Sequence, residues 1–145
     1  MRKKLRNGCS NMPVADTELL FMLNPKDPRH RKALNILEKF KGKLYVPDTA
    51  LFEFETVLRS RGRSEEEIKH ALLALKKIFD EYSISEASTV NLVLLVKHLE
   101  LMLNYGLTFF DSLIASSALS LDSLIVSDDK AYDNIKELKR IPITQ

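Results

Sequence analysis

The chain is poor in the residues that staple small proteins or bind soft metals. Its 145 residues include one cysteine, Cys9, no tryptophan, four glycines and five prolines. A single cysteine excludes an internal disulfide and a cysteine-based zinc site, and it fits a reducing cytoplasm, the expected location. The three histidines, His30, His70 and His98, are far apart in sequence, so no histidine metal cluster is expected. Long apolar runs are missing too. The best candidate, Leu101 to Leu121, is broken by Asn104, Tyr105, Gly106, Thr108, Asp111 and several serines. A membrane span is therefore not expected.

What remains is ordinary globular composition, 45% hydrophobic and 29% charged. A chain of this length makes one domain and buries about 70% of its unfolded surface. The net charge of +2 hides an asymmetry. Arg2, Lys3, Lys4 and Arg6 stand in a start without acids. Without them, 18 basic residues face 20 acidic ones. The body is slightly acidic, so any contact with nucleic acid must come from a local patch. Residues 1–12 read as a flexible basic extension. No apolar run follows Arg6, so they do not read as a secretory leader. Residues 13–145 form the expected single domain.

Short β-like runs alternate with helical ones. Pro13–Asp16, Leu44–Val46, Ser83–Ser85, Leu124–Val126 and Leu138–Ile143 read as strands. Helices are expected from Glu18 to Leu23, from Pro28 towards Gly42, and from Thr49 to Arg61. Others should run from Ser64 through Phe79, from Ser88 to Asn104, from Phe109 to Leu121, and near Ala131–Ile135. Ser64 and Glu67 form a capping box, and Gly106 and Thr108 punctuate the last long pair. This alternation implies an α/β protein: a three-layer α/β/α sandwich around a short-stranded, mainly parallel sheet. Sites in such folds lie at the carboxyl ends of the strands.

Acids occupy four suggestive places. Asp111 is the only charged residue between Leu101 and Leu121, on a helix that is apolar or small almost all round. A helix of that kind is buried, and a buried carboxylate is costly unless paired, hydrogen-bonded or metal-bound. Thr108 and Asp111 also fit a capping box, which would explain the acid without a site. Asp16 follows the first strand directly, a place for a ligand or for a helix N-cap. Asp128 and Asp129 follow the strand Leu124–Val126, where one of them, or Ser127, could cap the next helix. Glu53 and Glu55 flank the apolar arc of one helix. Glu55 has Arg59 four residues on, an ordinary surface pair. Glu53 has no such partner and is the better candidate.

Carboxylates brought within ~4 Å repel by about 1 kcal/mol in water and about 4 kcal/mol at an effective dielectric near 20. A fold that gathers them must offset that cost. With no histidine or cysteine cluster, the fitting ion is hard and oxygen-loving, Mg²⁺ or Mn²⁺. Carboxylate-held ions of this type serve phosphoryl transfer and phosphodiester hydrolysis.

Over residues 13–143 the sequence resembles the PIN-domain ribonucleases. Pro13-Val14-Ala15-Asp16-Thr17 resembles the family's opening strand and first acid, and Pro47 through Leu58 resembles the segment carrying its Glu, with Glu53 in register. The stretch from Tyr105 to Ala115 is very similar to the third motif, centred on Asp111. The stretch from Ile125 to Tyr132 resembles the fourth, which places the fourth acid at Asp129 and leaves Asp128 as a further possible ligand. Two positions depart from the family pattern: Glu18 stands where Asn is common, and Ser127 where Thr is usual. The resemblance implies a Mg²⁺- or Mn²⁺-dependent endoribonuclease. Asp16, Glu53, Asp111 and Asp129 would hold the metal and carry catalysis. It also implies frequent homodimers, and either a toxin partnered by an antitoxin protein or a nuclease that processes or degrades RNA. Single-stranded RNA is the expected substrate.

RNA phosphates need basic residues beside such a site. Arg59, Arg61 and Arg63 cluster at a helix end, and a second basic run covers Lys26, Arg29, His30, Arg31 and Lys32. Lys130 adjoins Asp129. Ser127, Lys130, Arg59 and Arg61 are the expected substrate contacts. The alternatives are a non-catalytic module of the same fold that binds RNA or protein, and a phospho-aspartate enzyme. The latter lacks the second Asp of its commonest motif after Asp16.

Overall fold

A computed structural model describes residues 11–144. Of the expected extension, residues 1–10, with Cys9, lie outside the described residues. Met12 already engages the body, because its backbone N–H donates to the Asp122 carboxylate at 2.7 Å.

Among the described residues five strands form one sheet: β1 (Val14–Ala15), β2 (Tyr45–Pro47), β3 (Ser85–Ala87), β4 (Leu124–Val126) and β5 (Lys139–Ile141). Their order is β3-β2-β1-β4-β5 and every neighbouring pair is parallel. The central strands are apolar on both faces because both faces are covered. Val14, Ala15, Val46, Ile125 and Val126 have no exposed surface. Six helices among the described residues flank the sheet as an α/β/α sandwich: α1 (Thr17–Met22), α2 (His30–Lys39), α3 (Asp48–Ser60), α4 (Glu65–Tyr82), α5 (Leu92–Tyr105) and α6 (Phe109–Leu119). Leu19, Met22, Leu37, Ile114 and Tyr132 fill the core between the layers. Burying each such side chain stabilises the fold by about 1.5–3 kcal/mol before entropy is counted.

The local signals explain most boundaries. Ser64 and Glu67 complete a reciprocal capping box at the start of α4. Gly106 ends α5 at φ +67°, a left-handed conformation that glycine enters without strain. Three elements differ from expectation. The third strand is Ser85–Ala87 and not Ser83–Ser85, because α4 runs on to Tyr82 and Ser83 closes it in a left-handed conformation at φ +54°. The α5 helix starts at Leu92 and not near Ser88, because Asp48 holds the chain before it extended. Its carboxylate accepts from the Thr89 backbone and hydroxyl and from the Val90 N–H. Asn91 then caps the helix by accepting from Leu94 N–H. The expected short helix near Ala131–Ile135 is a 3-10 turn, Lys130–Asn134, capped by Asp129.

The topology sets the site. From β1 the chain builds β2 and β3 on one side, then crosses back to place β4 and β5 on the other. The carboxyl ends of β1 and β4 therefore flank a switch point, where open α/β sheets leave a crevice.

Candidate active site

Asp16 is the first residue beyond β1. Its backbone N–H donates to the Val126 carbonyl at 3.0 Å, which ties the end of β1 to β4. The side chain does cap α1, accepting from Thr17 N–H at 2.8 Å. Its other oxygen accepts from the Ser127 hydroxyl at 2.6 Å, and the Tyr132 hydroxyl lies 3.4 Å away. Capping thus accounts for only part of this residue. Asp16 is 6% exposed and, among the described residues, no cationic side chain pairs with it. Burial is the main reason its carboxyl is pushed up to about 7. Hydrogen bonds from Ser127 and Thr17 oppose the shift, and the nearby Asp111 and Glu53 add to it.

Three more acids face the same space. Asp111 enters on the first turn of α6, whose residues Ser112 to Ala118 are all buried. Thr108 caps the helix by accepting from Asp111 N–H at 3.4 Å. The Asp111 carboxylate is directed to the Tyr132 hydroxyl, 3.5 Å away. Its carboxyl is raised, first by burial and then by Asp129. Glu53 projects from α3 and is raised by burial and by Asp111, against a hydrogen bond from the Thr17 side chain. Asp129 stands at the rim, where it accepts from Ala131 N–H at 2.9 Å. All four line one cavity of about 540 Å³, together with Thr17 and Glu18. Glu55, the rejected alternative, pairs on the outside with Arg59 at 2.9 Å.

Several expectations change on contact with the geometry. Ser127 is fully buried and cannot meet a substrate. Its hydroxyl donates to Asp16 and accepts from Asp129 N–H at 3.0 Å, so it locks the fourth acid's segment to the first acid. Asp128 reaches the cavity wall, but its oxygens are spent on the C-terminal chain. They accept from Ile143 N–H (2.7 Å), Thr144 N–H (3.2 Å) and the Thr144 hydroxyl (2.7 Å). Burial alone would raise its carboxyl; these bonds and nearby Arg140 outweigh burial and hold it low. A ligand role for Asp128 would require breaking them. Arg59 is occupied by Glu55 and Glu65, and neither it nor Lys130 lines the cavity.

The cations that do line it are Arg61 and Arg29. Arg61 stacks over the Phe21 ring at 4.9 Å. Arg29 is forked on Asp27 and reaches Glu18 at 2.8 Å. Glu18, the departure from the usual Asn, therefore sits in the cavity wall with its charge countered. Sequence reasoning placed Arg29 only within a basic run, and it gave Tyr132 no role beyond that of a motif aromatic. Tyr132 is fully buried with its hydroxyl between Asp16 and Asp111. Burial pushes its phenol far up, so it stays a proton donor.

The donor set fits a hard divalent cation: oxygen ligands only, and a buried carboxylate with acid neighbours and no cationic partner. Among the described residues no three His, Cys, Asp or Glu side chains are grouped tightly enough to hold a metal ion by themselves. The acids ring an open cavity.

No curated protein matches the chain. Solved structures do match its fold. VapBC2 from Rickettsia felis, bound to a DNA fragment from their promoter, aligns at TM-score 0.69 and 17% identity, covering 90% of this chain and 98% of that one. A toxin-antitoxin complex from Klebsiella pneumoniae aligns at 0.62 and 15%, covering 87% and 94%. PAE2754 from Pyrobaculum aerophilum aligns at 0.61 and 20%, covering 92% and 90%. At these identities the likeness establishes the fold. The PIN domain family model matches residues 14–138, from β1 to the threshold of β5 and across all four acids, and by that match the chain belongs to the PIN domain family.

Proposed function

We propose that this protein is a Mg²⁺- or Mn²⁺-dependent endoribonuclease acting on single-stranded RNA in the cytoplasm, as the toxin of a toxin–antitoxin pair. The observation that carries the reading is the convergence of Asp16, Glu53, Asp111 and Asp129, from four separate segments, on one cavity. Asp16 and Asp111 would hold the ion, with Glu53 and Asp129 completing the acidic ring. Bound there, the cation would supply Lewis acidity at a phosphoryl oxygen and lower the pKa of a water. Ser127 and Tyr132 fix the Asp16 carboxylate. Glu53, partly exposed and with its carboxyl raised from its usual value by burial, would take the proton of an attacking water. Arg61 and Arg29 offset the acidic field for an incoming phosphate. An antitoxin partner is supported by the fold likeness to toxin–antitoxin complexes, and a homodimer belongs to the same proposal.

The test is Asp111→Asn. Metal-dependent cleavage of single-stranded RNA should fall by about 100-fold or more with the circular dichroism spectrum unchanged. Full residual activity removes Asp111 from the chemistry. A second reading, a non-catalytic RNA- or protein-binding module, draws on the open arrangement of the acids. It requires that millimolar Mg²⁺ or Mn²⁺ leave the melting temperature unmoved. The nuclease reading requires a rise, about 2.7 kcal/mol of stabilisation at 100 times Kd.

A further inference from the structure

The cavity that gathers the acids is also lined by groups of another kind, Phe21, Val57 and Arg61. Glu53, Val57 and Arg61 follow one another at intervals of four along α3 and the residue that closes it, so they share one stripe. Arg61 stands two turns, about 12 Å of axis, beyond Glu53. Side chains lean toward the start of their helix, which carries a long one such as Arg61 back toward the acids. Its guanidinium sits over the Phe21 ring, with Cζ 4.9 Å from the centroid. Phe21 in turn packs on Phe54, with centroids 4.7 Å apart and planes 31° from parallel. Phe54 is buried in the core, whereas Arg61 is exposed. The result is a series of planar groups rooted in the core and ending in solvent at a cation. The neighbouring arginines are spent: Arg29 on Asp27 and Glu18, Arg59 on Glu55 and Glu65, and Arg63 on Glu67 at 4.0 Å. Among the described residues, Arg61 alone of these four has no carboxylate partner.

We propose that Arg61, braced by Phe21, is a stacking platform for one unpaired nucleobase of the RNA. A phosphate contact alone needs a charge, which a lysine supplies as well. It makes no use of a planar cation already seated on a ring, or of an apolar lining such as Phe21 and Val57. A nucleobase uses both, because its π-face stacks on a guanidinium plane and its apolar surface leaves water. The N–H groups of the guanidinium lie in its plane and stay available to the backbone, so face and edge serve base and phosphate at once. The cavity of about 540 Å³ falls within the roughly 300–1,000 Å³ of ligand pockets, room for a phosphate at the acids and an adjoining nucleoside at the platform. A base within a duplex is paired and already stacked, so the platform admits an unpaired strand. Every base offers a π-face, so this subsite selects the state of the strand and not its sequence. The inference rests on the nuclease reading and names the part of the substrate that the rim of that site holds.

Fluorescence anisotropy with two labelled octamers tests the platform. One is octauridylate, and the other has the same ribose–phosphate backbone without bases. Binding is measured in millimolar Mg²⁺ on the Asp111→Asn chain, so that the strands stay intact. Octauridylate should bind at least about fivefold tighter than the base-free strand. Adding Arg61→Lys, which keeps the charge at an exposed position and removes the planar face, should abolish that preference. The salt dependence of base-free binding should not change, because the count of phosphate contacts is the same. Equal binding of the two strands before the Arg61 change, or a preference that survives Arg61→Lys, overturns the platform. Cleavage of RNA by the wild type alongside either of those results removes only the platform. A base preference that Arg61→Lys abolishes, in a protein whose wild type cuts no RNA, leaves the platform standing and removes the nuclease reading.

Discussion

The ends of β1 and β4 lie side by side, yet the acids that follow them behave in opposite ways. Asp16 is buried among other carboxylates and pushed up to about 7. Asp128 is met by two backbone N–H groups and a hydroxyl and held below the usual range. Both are carboxylates at the carboxyl end of a central parallel strand. The difference is that the chain supplies three donors and a nearby arginine to Asp128, while Asp16 receives Thr17 N–H, Ser127, a distant Tyr132 and two more acids. One acid closes the fold. The other has, among the described residues, no cationic side chain beside it, which leaves a proton or a bound cation to neutralise it.

Substitution should separate them. Asp16→Asn is expected to abolish the rise in melting temperature with Mg²⁺ or Mn²⁺, measured by thermal unfolding, whereas Asp128→Asn should keep it. Asp128→Asn should instead lose about 1–3 kcal/mol of stability, read from the urea midpoint, because it weakens the acceptor that holds Ile143 and Thr144. Equal metal responses from the two variants would erase the distinction.

pH sharpens the same contrast. The Asp16 carboxyl is near 7 when folded and near 3.8 when unfolded. The folded state therefore binds its proton more tightly, and stability from this group falls as pH rises from about 4 to about 7, by a few kcal/mol at most. Asp128 has the opposite sign: its contribution is present above the unfolded value and is lost as pH falls through its lowered folded value. Urea midpoints without metal should show Asp16→Asn with a shallower decline than the wild type across pH 4 to 7, the remainder coming from the raised Asp111 and Glu53 carboxyls, with Asp128→Asn keeping the wild-type decline there. The smallest expected effect concerns the rim. Arg61→Gln should raise KM for RNA several-fold with kcat little changed, and Arg59→Gln should leave both unchanged, since its pairs are on the exposed outside.

Much of this could be read in the chain itself. Glu53 was separable from Glu55 because an arginine four residues on is a local, covalently fixed fact. The caps at Ser64 and Thr108 and the stop at Gly106 are also short-range and stand as read. The role of Ser127 is not legible locally, because a serine after a strand is the same in sequence whether it faces solvent or lies under an aspartate 111 residues away. Arg29 does not stand out from its basic run in the sequence, because its orientation depends on Asp27 and Glu18. The start of α5 moved for the same reason: Asp48, 41 residues earlier, claims Thr89.

Two neighbouring helices mark the limit. α5 and α6 are both rich in apolar residues, yet α6 is buried along seven consecutive residues while α5 leaves four large aliphatic side chains of one seam in water. Sequence alone determined the alternation of strands and helices, their caps and the supply of unpaired acids, because these depend on periodicity and on neighbours a few residues apart. Tertiary structure alone decided which acids share a cavity, which one spends its oxygens on the C-terminal chain and which apolar face stays open. Those outcomes depend on contacts between segments dozens of residues apart, whose distances no local pattern encodes.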